Sequence, residues 1–105
     1  MKDKLMEEKI ENLVDYELNQ AVEKFGPFHG PHEAWSVMHE EYQETKAEIR
    51  NVKKLHKNLW IKIKKGQRKE QLVFAEEAYK TGLELINEAI QYTAMAKRYL
   101  QDIKK

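Results

Sequence analysis

Residues 32–48, HEAWSVMHEEYQETKAE, combine a group of closely spaced glutamates at positions 40, 41, 44 and 48 with a set of regularly spaced apolar residues. A helix has 3.6 residues per turn, so it would place Glu41, Glu44 and Glu48 on one face. The neighbouring face would carry a mostly apolar stripe: Trp35, Met38, Tyr42, Thr45, Ile49 and Val52. The spacing therefore predicts an amphipathic helix with a row of carboxylates beside its core-facing side.

The three carboxylates repel one another unless positive charge lies between them. A hard divalent cation such as Mg²⁺ takes oxygen ligands and would remove that repulsion. The alternative is a solvated acidic face, because runs of charge on a helix commonly face water. The spacing by itself leaves both interpretations open.

Composition favours a single all-α domain over residues 1–105. The chain is 41% hydrophobic and 35% charged, with only four Gly and two Pro, which is typical of long amphipathic helices. It has no cysteine, so disulfides and thiolate metal sites are excluded. No apolar run approaches the ~18 residues of a membrane span, and the first residues are charged, so we expect a soluble, cytoplasmic protein.

The first half of the chain is predicted to form two helices joined by a structured loop. The first helix covers residues 3–24, and Gly26-Pro27 ends it, opening a loop over residues 25–31. The second helix begins near residues 32–33 and reaches at least Val52, with apolar spacing that continues to residue 63. A helix of ~33 residues is far above the usual length, so we expect a break or bend near Lys57-Asn58.

A last long helix is predicted over residues 67–103. Its apolar positions recur at helical spacing and are expected to be buried: Leu72, Ala75, Tyr79, Gly82, Leu83, Ile86, Ala89, Ile90, Thr93, Ala96, Leu100 and Ile103. The chain is thus expected to be a bundle of three long helices, or four if the second is broken. So small a chain with such wide apolar faces is expected to complete its core as a homodimer or homotetramer.

Charge is unevenly distributed although the net charge is only +1. Residues 1–49 hold twelve acidic and five basic side chains, whereas residues 50–69 hold nine basic side chains and no acidic one. Within the basic segment, Lys53 and Lys54 are the best placed to hold phosphate groups near the carboxylates. Non-specific contact with a nucleic-acid backbone and a simple solvated helix end are the two alternatives.

The segment KFGPFHGPHEAWSVMHEEYQETKAEI, residues 24–49, resembles the opening of the MazG-like all-α nucleotide pyrophosphohydrolases, especially small versions carried by phages and prophages. The resemblance lies in the loop, the His-Glu helix entry and the pattern Glu40-Glu41-x-x-Glu44. Residues 88–103, EAIQYTAMAKRYLQDI, resemble the final helix of that family. The similarity spans residues 20–103.

This resemblance implies hydrolysis of a nucleoside triphosphate, ribo or deoxy, to a monophosphate and pyrophosphate, with Mg²⁺ or Mn²⁺ as cofactor. It makes Glu41 and Glu44 metal ligands, with Glu40 beside them as a ligand or orienting residue. Glu88 would be the third carboxylate, contributed by the last helix. His29, in the loop, could contact the nucleotide.

The chain departs from the family pattern at Gln91, where an Asp is expected three residues after Glu88. An amide oxygen can coordinate Mg²⁺, but it brings no charge and so weakens the site. Asp102 lies about 16 Å further along a helix from position 91 and cannot substitute. A degenerate member that keeps the scaffold without turnover, acting as a non-catalytic helical interaction protein, is therefore the main alternative to an enzyme.

The other chemically notable residues carry weaker signals. His32 and His39 are two helical turns apart, which is too far for one zinc ion. Trp35 and Trp60 could stack on a base, although aromatic residues at helical spacing are more often part of a core. A small nucleic-acid binder is the third hypothesis, and the near-neutral net charge disfavours it.

Overall fold

The computed structural model describes residues 3–105, which form three helices and no strand. They are α1 (Lys4–Phe25), α2 (Pro31–Lys64) and α3 (Arg68–Lys104). The side chain of Asp3 caps α1 by accepting a hydrogen bond of 3.1 Å from the backbone N–H of Met6. Gly26 ends α1 in the left-handed region, with φ 73°, and its N–H donates to the carbonyl of Val22. The all-α prediction is confirmed.

The second helix is continuous over 34 residues, so the expected break near Lys57-Asn58 is wrong. No Gly or Pro interrupts the helix before Gly66, which adopts φ 65°. There the N–H of Gly66 donates to the carbonyl of Ile63, and the N–H of Gln67 donates to that of Lys62. This pair of hydrogen bonds is the Schellman motif, which ends α2 and starts the turn into α3.

Helix α3 is the centre of the fold, because the backbones of α1 and α2 each come close to α3 and not to each other. Its bounds agree with the predicted 67–103 to within one residue. Asp15 of α1 pairs with Lys97, whereas earlier residues of α1 face the segment 86–93, so α1 and α3 run in the same direction. Helix α2 runs antiparallel to α3 and forms a long hairpin with it.

The buried residues lie at one end of the molecule, where all three helices meet. They comprise Val14, Leu18, Phe28, Ala34, Ala94 and Met95, with Arg98 as the one buried charged side chain among residues 3–105. Arg98 lies 3.8 Å from the centre of the Phe28 ring and donates twice to the carbonyl of Gly26, at 3.2 and 2.8 Å. Asp102 accepts from the backbone N–H of Phe28 at 2.9 Å. Both residues therefore hold the loop between α1 and α2 against α3.

Most of the apolar stripe that was predicted to be buried on α3 is exposed in this single chain, so this part of the prediction is wrong for it. Leu72 is 62% exposed and Tyr79 is 69% exposed. On α2 half of the predicted apolar stripe is exposed, with Trp35 64% exposed, whereas Met38, Thr45 and Val52 are half-buried. The physical reason is geometric: α1 has 22 residues and spans little more than half of a hairpin whose helices have 34 and 37. In the part of the chain that the structure describes, no helix is both long and apolar enough to cross a membrane.

Candidate metal centre

Three carboxylates converge between α2 and α3, the two helices of the hairpin. Glu41 and Glu44 are one turn apart on α2, and Glu88 reaches them from α3. One carboxylate oxygen of each residue lies within 4.8 Å of the others. The helical spacing accounts for the α2 pair, and the antiparallel register of α2 and α3 brings Glu88 to the same level.

The cluster is partly withdrawn from water. Glu41 and Glu88 are half-buried and Glu44 is exposed. The Oε2 atoms of Glu41 and Glu88 are buried and have no hydrogen-bond partner. Buried acceptors are normally satisfied, so two orphaned carboxylate oxygens in one cluster call for a proton or a cation there.

Electrostatics in the cluster favours added positive charge. Burial raises the pKa of Glu88 to about 7, assisted by the adjacent Glu44 carboxyl, which can share a proton with it, and by the charges of Glu41 and Glu48. Burial also raises the pKa of Glu41, and the negative charges of Glu44 and Glu40 raise it further. The cluster binds protons more readily than isolated carboxylates do, because each proton relieves repulsion.

The residues fit a hard divalent cation. Mg²⁺ and Mn²⁺ take oxygen ligands, and a dication would occupy the orphaned oxygens and offset both the burial and the repulsion that raise the two pKa values. Three carboxylates also leave coordination positions for water and phosphate oxygens, as Mg²⁺ sites commonly do.

Two other residues predicted for the site, and a further glutamate, lie next to this cluster. Glu40 is exposed and acts on Glu41 through its charge. Glu48 acts similarly on Glu88. Gln91 is half-buried and one helical turn after Glu88, so it lies on the same side of α3 as that carboxylate.

The predicted substrate-binding residues lie further away. Lys53 and Lys54 are exposed on α2, about 14 and 15 Å beyond Glu44 along the helix axis. His29 is engaged with Glu33: its backbone N–H donates to Oε1 at 3.1 Å, and its Nδ1 lies 3.0 Å from Oε2. These contacts hold the pKa of Glu33 below its usual range. His29 therefore orders the start of α2, and it lies twelve residues before Glu41 in the chain.

The two tryptophans do not line the carboxylate cluster. Trp35 and Glu44 are nine residues apart, or two and a half turns, so they point to opposite sides of α2. Trp35 instead stacks on His39 with ring centres 4.5 Å apart and, together with Met38, Tyr42 and Tyr92, lines a pocket of 340 Å³. Trp60 is two-thirds of a helix length from this pocket, with the Lys64 ammonium over its ring.

Sequence reasoning missed the two residues that organise the loop. Arg98 and Asp102 lie one turn apart near the end of α3 and hold Gly26 and Phe28 respectively. Charged residues near a helix end ordinarily face water, and their contacts here are more than 70 residues distant in sequence. Only the tertiary fold reveals that role.

Comparison with family models, with curated proteins and with solved structures gave no match to this chain. The resemblance to MazG-like pyrophosphohydrolases therefore stays a prediction from the residues.

Proposed function

We propose that this chain binds Mg²⁺, or Mn²⁺ in its place, and acts as a metal-dependent nucleoside triphosphate pyrophosphohydrolase. The observation that carries the proposal is the convergence of Glu41, Glu44 and Glu88 with two buried, unpartnered oxygens. The substrate class comes from the resemblance of residues 20–103, which rests on the same glutamates together with the loop and the last helix. The products would be a nucleoside monophosphate and pyrophosphate.

Each carboxylate has a distinct part in this proposal. Glu41 and Glu88 supply buried oxygens that hold the cation at a fixed place between the helices. Glu44 is exposed and faces the side from which water and phosphate would enter. When bound there, Mg²⁺ would offset phosphate charge and make a bound water more acidic. Of the two lysines predicted to hold phosphate, Lys54 is turned about 80° from Glu44 around α2 and is the better placed to meet a polyphosphate extending from the site, whereas Lys53 points to the opposite side of the helix.

A second candidate function is a non-catalytic helical interaction protein on the same scaffold. The neutral Gln91 beside Glu88 favours it, because an amide leaves the cation with one negative charge fewer than an acidic residue would. The long exposed apolar faces of α2 and α3 favour it as well. In this case the carboxylate cluster would hold a cation or proton for stability only.

The test is pyrophosphate release from a panel of ribo- and deoxyribonucleoside triphosphates, with Mg²⁺ or Mn²⁺. Glu44→Gln removes one ligand charge from an exposed position and is expected to lower turnover by about 100-fold or more. Glu76→Gln is the matched control, since Glu76 is an exposed glutamate on α3, about 18 Å from Glu88 along the axis, and should retain wild-type activity.

Metal binding measured in parallel separates the two functions. Titration with Mn²⁺, followed by electron paramagnetic resonance, should show binding to the wild type and to Glu76→Gln and much weaker binding to Glu44→Gln. Binding without pyrophosphate release from any triphosphate would favour the interaction protein. If folded protein shows no metal binding and no pyrophosphate release, that result contradicts the enzyme proposal.

A further inference from the structure

One face of α2 carries an unbroken row of aromatic and basic side chains, which we call the outer row. It begins with Trp35, His39, Tyr42 and Lys46, each three or four residues after the one before, so that all four lie on the same side of the helix. Trp35 stacks on His39 with ring centres 4.5 Å apart, and the rings of His39 and Tyr42 follow at 5.9 Å. The Lys46 ammonium lies 5.8 Å from the centre of the Tyr42 ring. The row therefore starts as a ladder of contacting rings that ends at a cation.

The outer row continues to the end of α2 at the same spacing. Its further members are Arg50, Lys53, Lys57, Trp60 and Lys64, and the Lys64 ammonium lies 5.6 Å from the centre of the Trp60 ring. Trp60 is 57% exposed, and every cation of the row is exposed. Among the described residues 3–105, no carboxylate forms an ion pair with any of these cations. The row is about 44 Å long, and its positive charge is not neutralised within the chain.

Charge on α2 is sorted by the side of the helix. A helix turns 100° per residue, so the outer row falls within a sector of about 80°. The five glutamates of α2 fall within another sector of about 100°, which is centred nearly opposite the row and includes the α2 part of the carboxylate cluster. Five of the seven lysines and arginines of α2 belong to the row. The near-neutral net charge, which disfavoured a nucleic-acid binder in the sequence, therefore averages over two sides of opposite charge.

The mixture of exposed rings and cations in one line identifies the kind of partner that the outer row fits. A line of basic side chains follows the phosphates of a polynucleotide, and exposed aromatic rings stack on unpaired bases. A duplex keeps its base faces stacked inside, so it offers those rings nothing to stack on. A helix that lies on a membrane instead carries a broad apolar face opposite its charges. The row has its rings and charges on the same side, which favours a single strand.

At its aromatic end the outer row adjoins a pocket of 340 Å³. Trp35, Met38, His39 and Tyr42 line this pocket from α2, and Tyr92 lines it from α3. Four of these five side chains are aromatic rings, and the volume is at the small end of the range for ligand pockets, which suits a single base. Trp35 points to the opposite side of α2 from the exposed carboxylate of the metal centre. The pocket is thus a stacking site distinct from the carboxylate cluster.

We propose that the outer row binds single-stranded nucleic acid along α2, with bases stacked on Trp60 and in the aromatic pocket and phosphates on the cations between them. The row is long enough for about 7 nucleotides of an extended strand, within the range of known single-strand sites. Lys53 belongs to this surface, because it points away from Glu44 around α2. The proposal does not rest on the pyrophosphohydrolase reaction, since the row and the carboxylate cluster occupy different sides of the helix.

The first test is binding of the full chain to fluorescein-labelled thymidine and uridine oligomers of about 20 nucleotides, followed by fluorescence anisotropy. A chelator keeps the carboxylate site free of divalent metal, so the result is independent of pyrophosphate release. Wild type is expected to bind with a Kd of about 1 to 100 µM at low salt, and more weakly as salt is added. A preference for one oligomer assigns the strand as DNA or RNA and supports the proposal in either case.

The contribution of the cations is tested by a double variant and a control of equal charge. Lys53→Gln with Lys57→Gln removes two phosphate contacts and should lower the slope of log affinity against log salt by about 1.4, at about 0.7 per contact. The control is Lys69→Gln with Lys80→Gln, at exposed positions of α3. These are turned about 140° and 120° from Tyr92, whose side of α3 adjoins the row. The control should keep the wild-type slope.

The contribution of stacking is tested by Trp60→Ala, which removes a ring without changing the charge. Binding of the single strand should weaken by about fivefold or more, whereas binding of a duplex of the same length should not change. Tyr79→Ala is the control, since Tyr79 is a 69% exposed ring on α3 and is turned about 140° from Tyr92. It should keep the wild-type affinity. All the substituted side chains are exposed, and circular dichroism checks that each variant keeps its helices.

Three results would overturn the proposal. The first is folded wild type that binds neither oligomer at low salt, and the second is a row variant that binds like its control. The third is a duplex bound as tightly as the single strand, with no effect of Trp60→Ala, which would show a purely cationic surface. Tighter binding to phosphatidylserine vesicles than to the oligomers would also overturn it, and would assign the outer row to a membrane surface.

Discussion

Glu88 makes the stability of the metal-free protein depend on pH in an unusual direction. Its pKa is raised from 4.5 to about 7 in the folded chain. Between those values the folded state binds more protons than the unfolded state, so the free energy of unfolding falls as pH rises. Glu41 acts in the same direction. The contribution is fully present at acidic pH and is lost as pH rises through about 7.

We therefore expect the melting temperature, in the presence of a chelator, to fall between pH 5 and pH 8. The loss of stability should be about 1 to 2 kcal/mol after allowance for solvent screening of a half-buried group. Adding Mg²⁺ at pH 8 should restore it, because a dication replaces the lost proton. In Glu88→Gln the pH dependence should be much smaller. A wild type whose melting temperature is flat across this range would contradict the raised pKa.

For individual residues, the sequence could predict only contacts within one helix. The spacing of Glu41 and Glu44 follows from one helix, and periodicity supplies it. Their meeting with Glu88 depends on the register of α2 against α3, and only the family resemblance suggested it. Arg98 and Asp102 were missed because their partners, Gly26 and Phe28, are reached through the tertiary fold.

At the scale of the helices, one glycine in the α2–α3 turn and one inside α3 can be compared to test why the hairpin turns where it does. Gly66 has φ 65°, which an alanine adopts only with strain, and no atom would contact an added Cβ. Gly82 is helical and equally open. Gly66→Ala should therefore destabilise the protein by about 1 kcal/mol, from backbone strain alone. Gly82→Ala should stabilise it by about 0.5 to 1 kcal/mol.

The same substitution thus has opposite signs at the two positions, and chemical denaturation of both variants measures it. Equal effects would show that the turn at Gly66 tolerates a side chain, and that the Schellman geometry does not set the end of α2.

The length of α2 shows where helix prediction failed and why. Its apolar spacing was followed correctly to Ile63, yet a break near Lys57-Asn58 was expected from typical helix lengths. No Gly or Pro lies within residues 53–65 to break a helix. Local sequence was the better guide here, because the first residue that cannot continue the helix without cost is Gly66.

For the whole molecule, periodicity identified the apolar faces but not what covers them. Tyr79 and Leu72 were expected to be buried and are exposed in one copy. A helical pattern reports that a face needs a partner, and the same pattern is satisfied by another helix of the chain or by a second chain. The buried residues gather around α1, which is too short to cover residues 49–85 of the hairpin as well.

This division predicts two levels of hydrogen-exchange protection. Amides of residues 49–85 should open locally at much lower free energy than those around Val14, Ala94 and Met95, since no side chain in residues 49–85 is buried. In dilute wild-type protein we expect residues 49–85 to exchange at least about tenfold faster than residues 86–100. Equal protection of the two segments would contradict this division and would show that a partner covers the exposed apolar faces of α2 and α3 in solution.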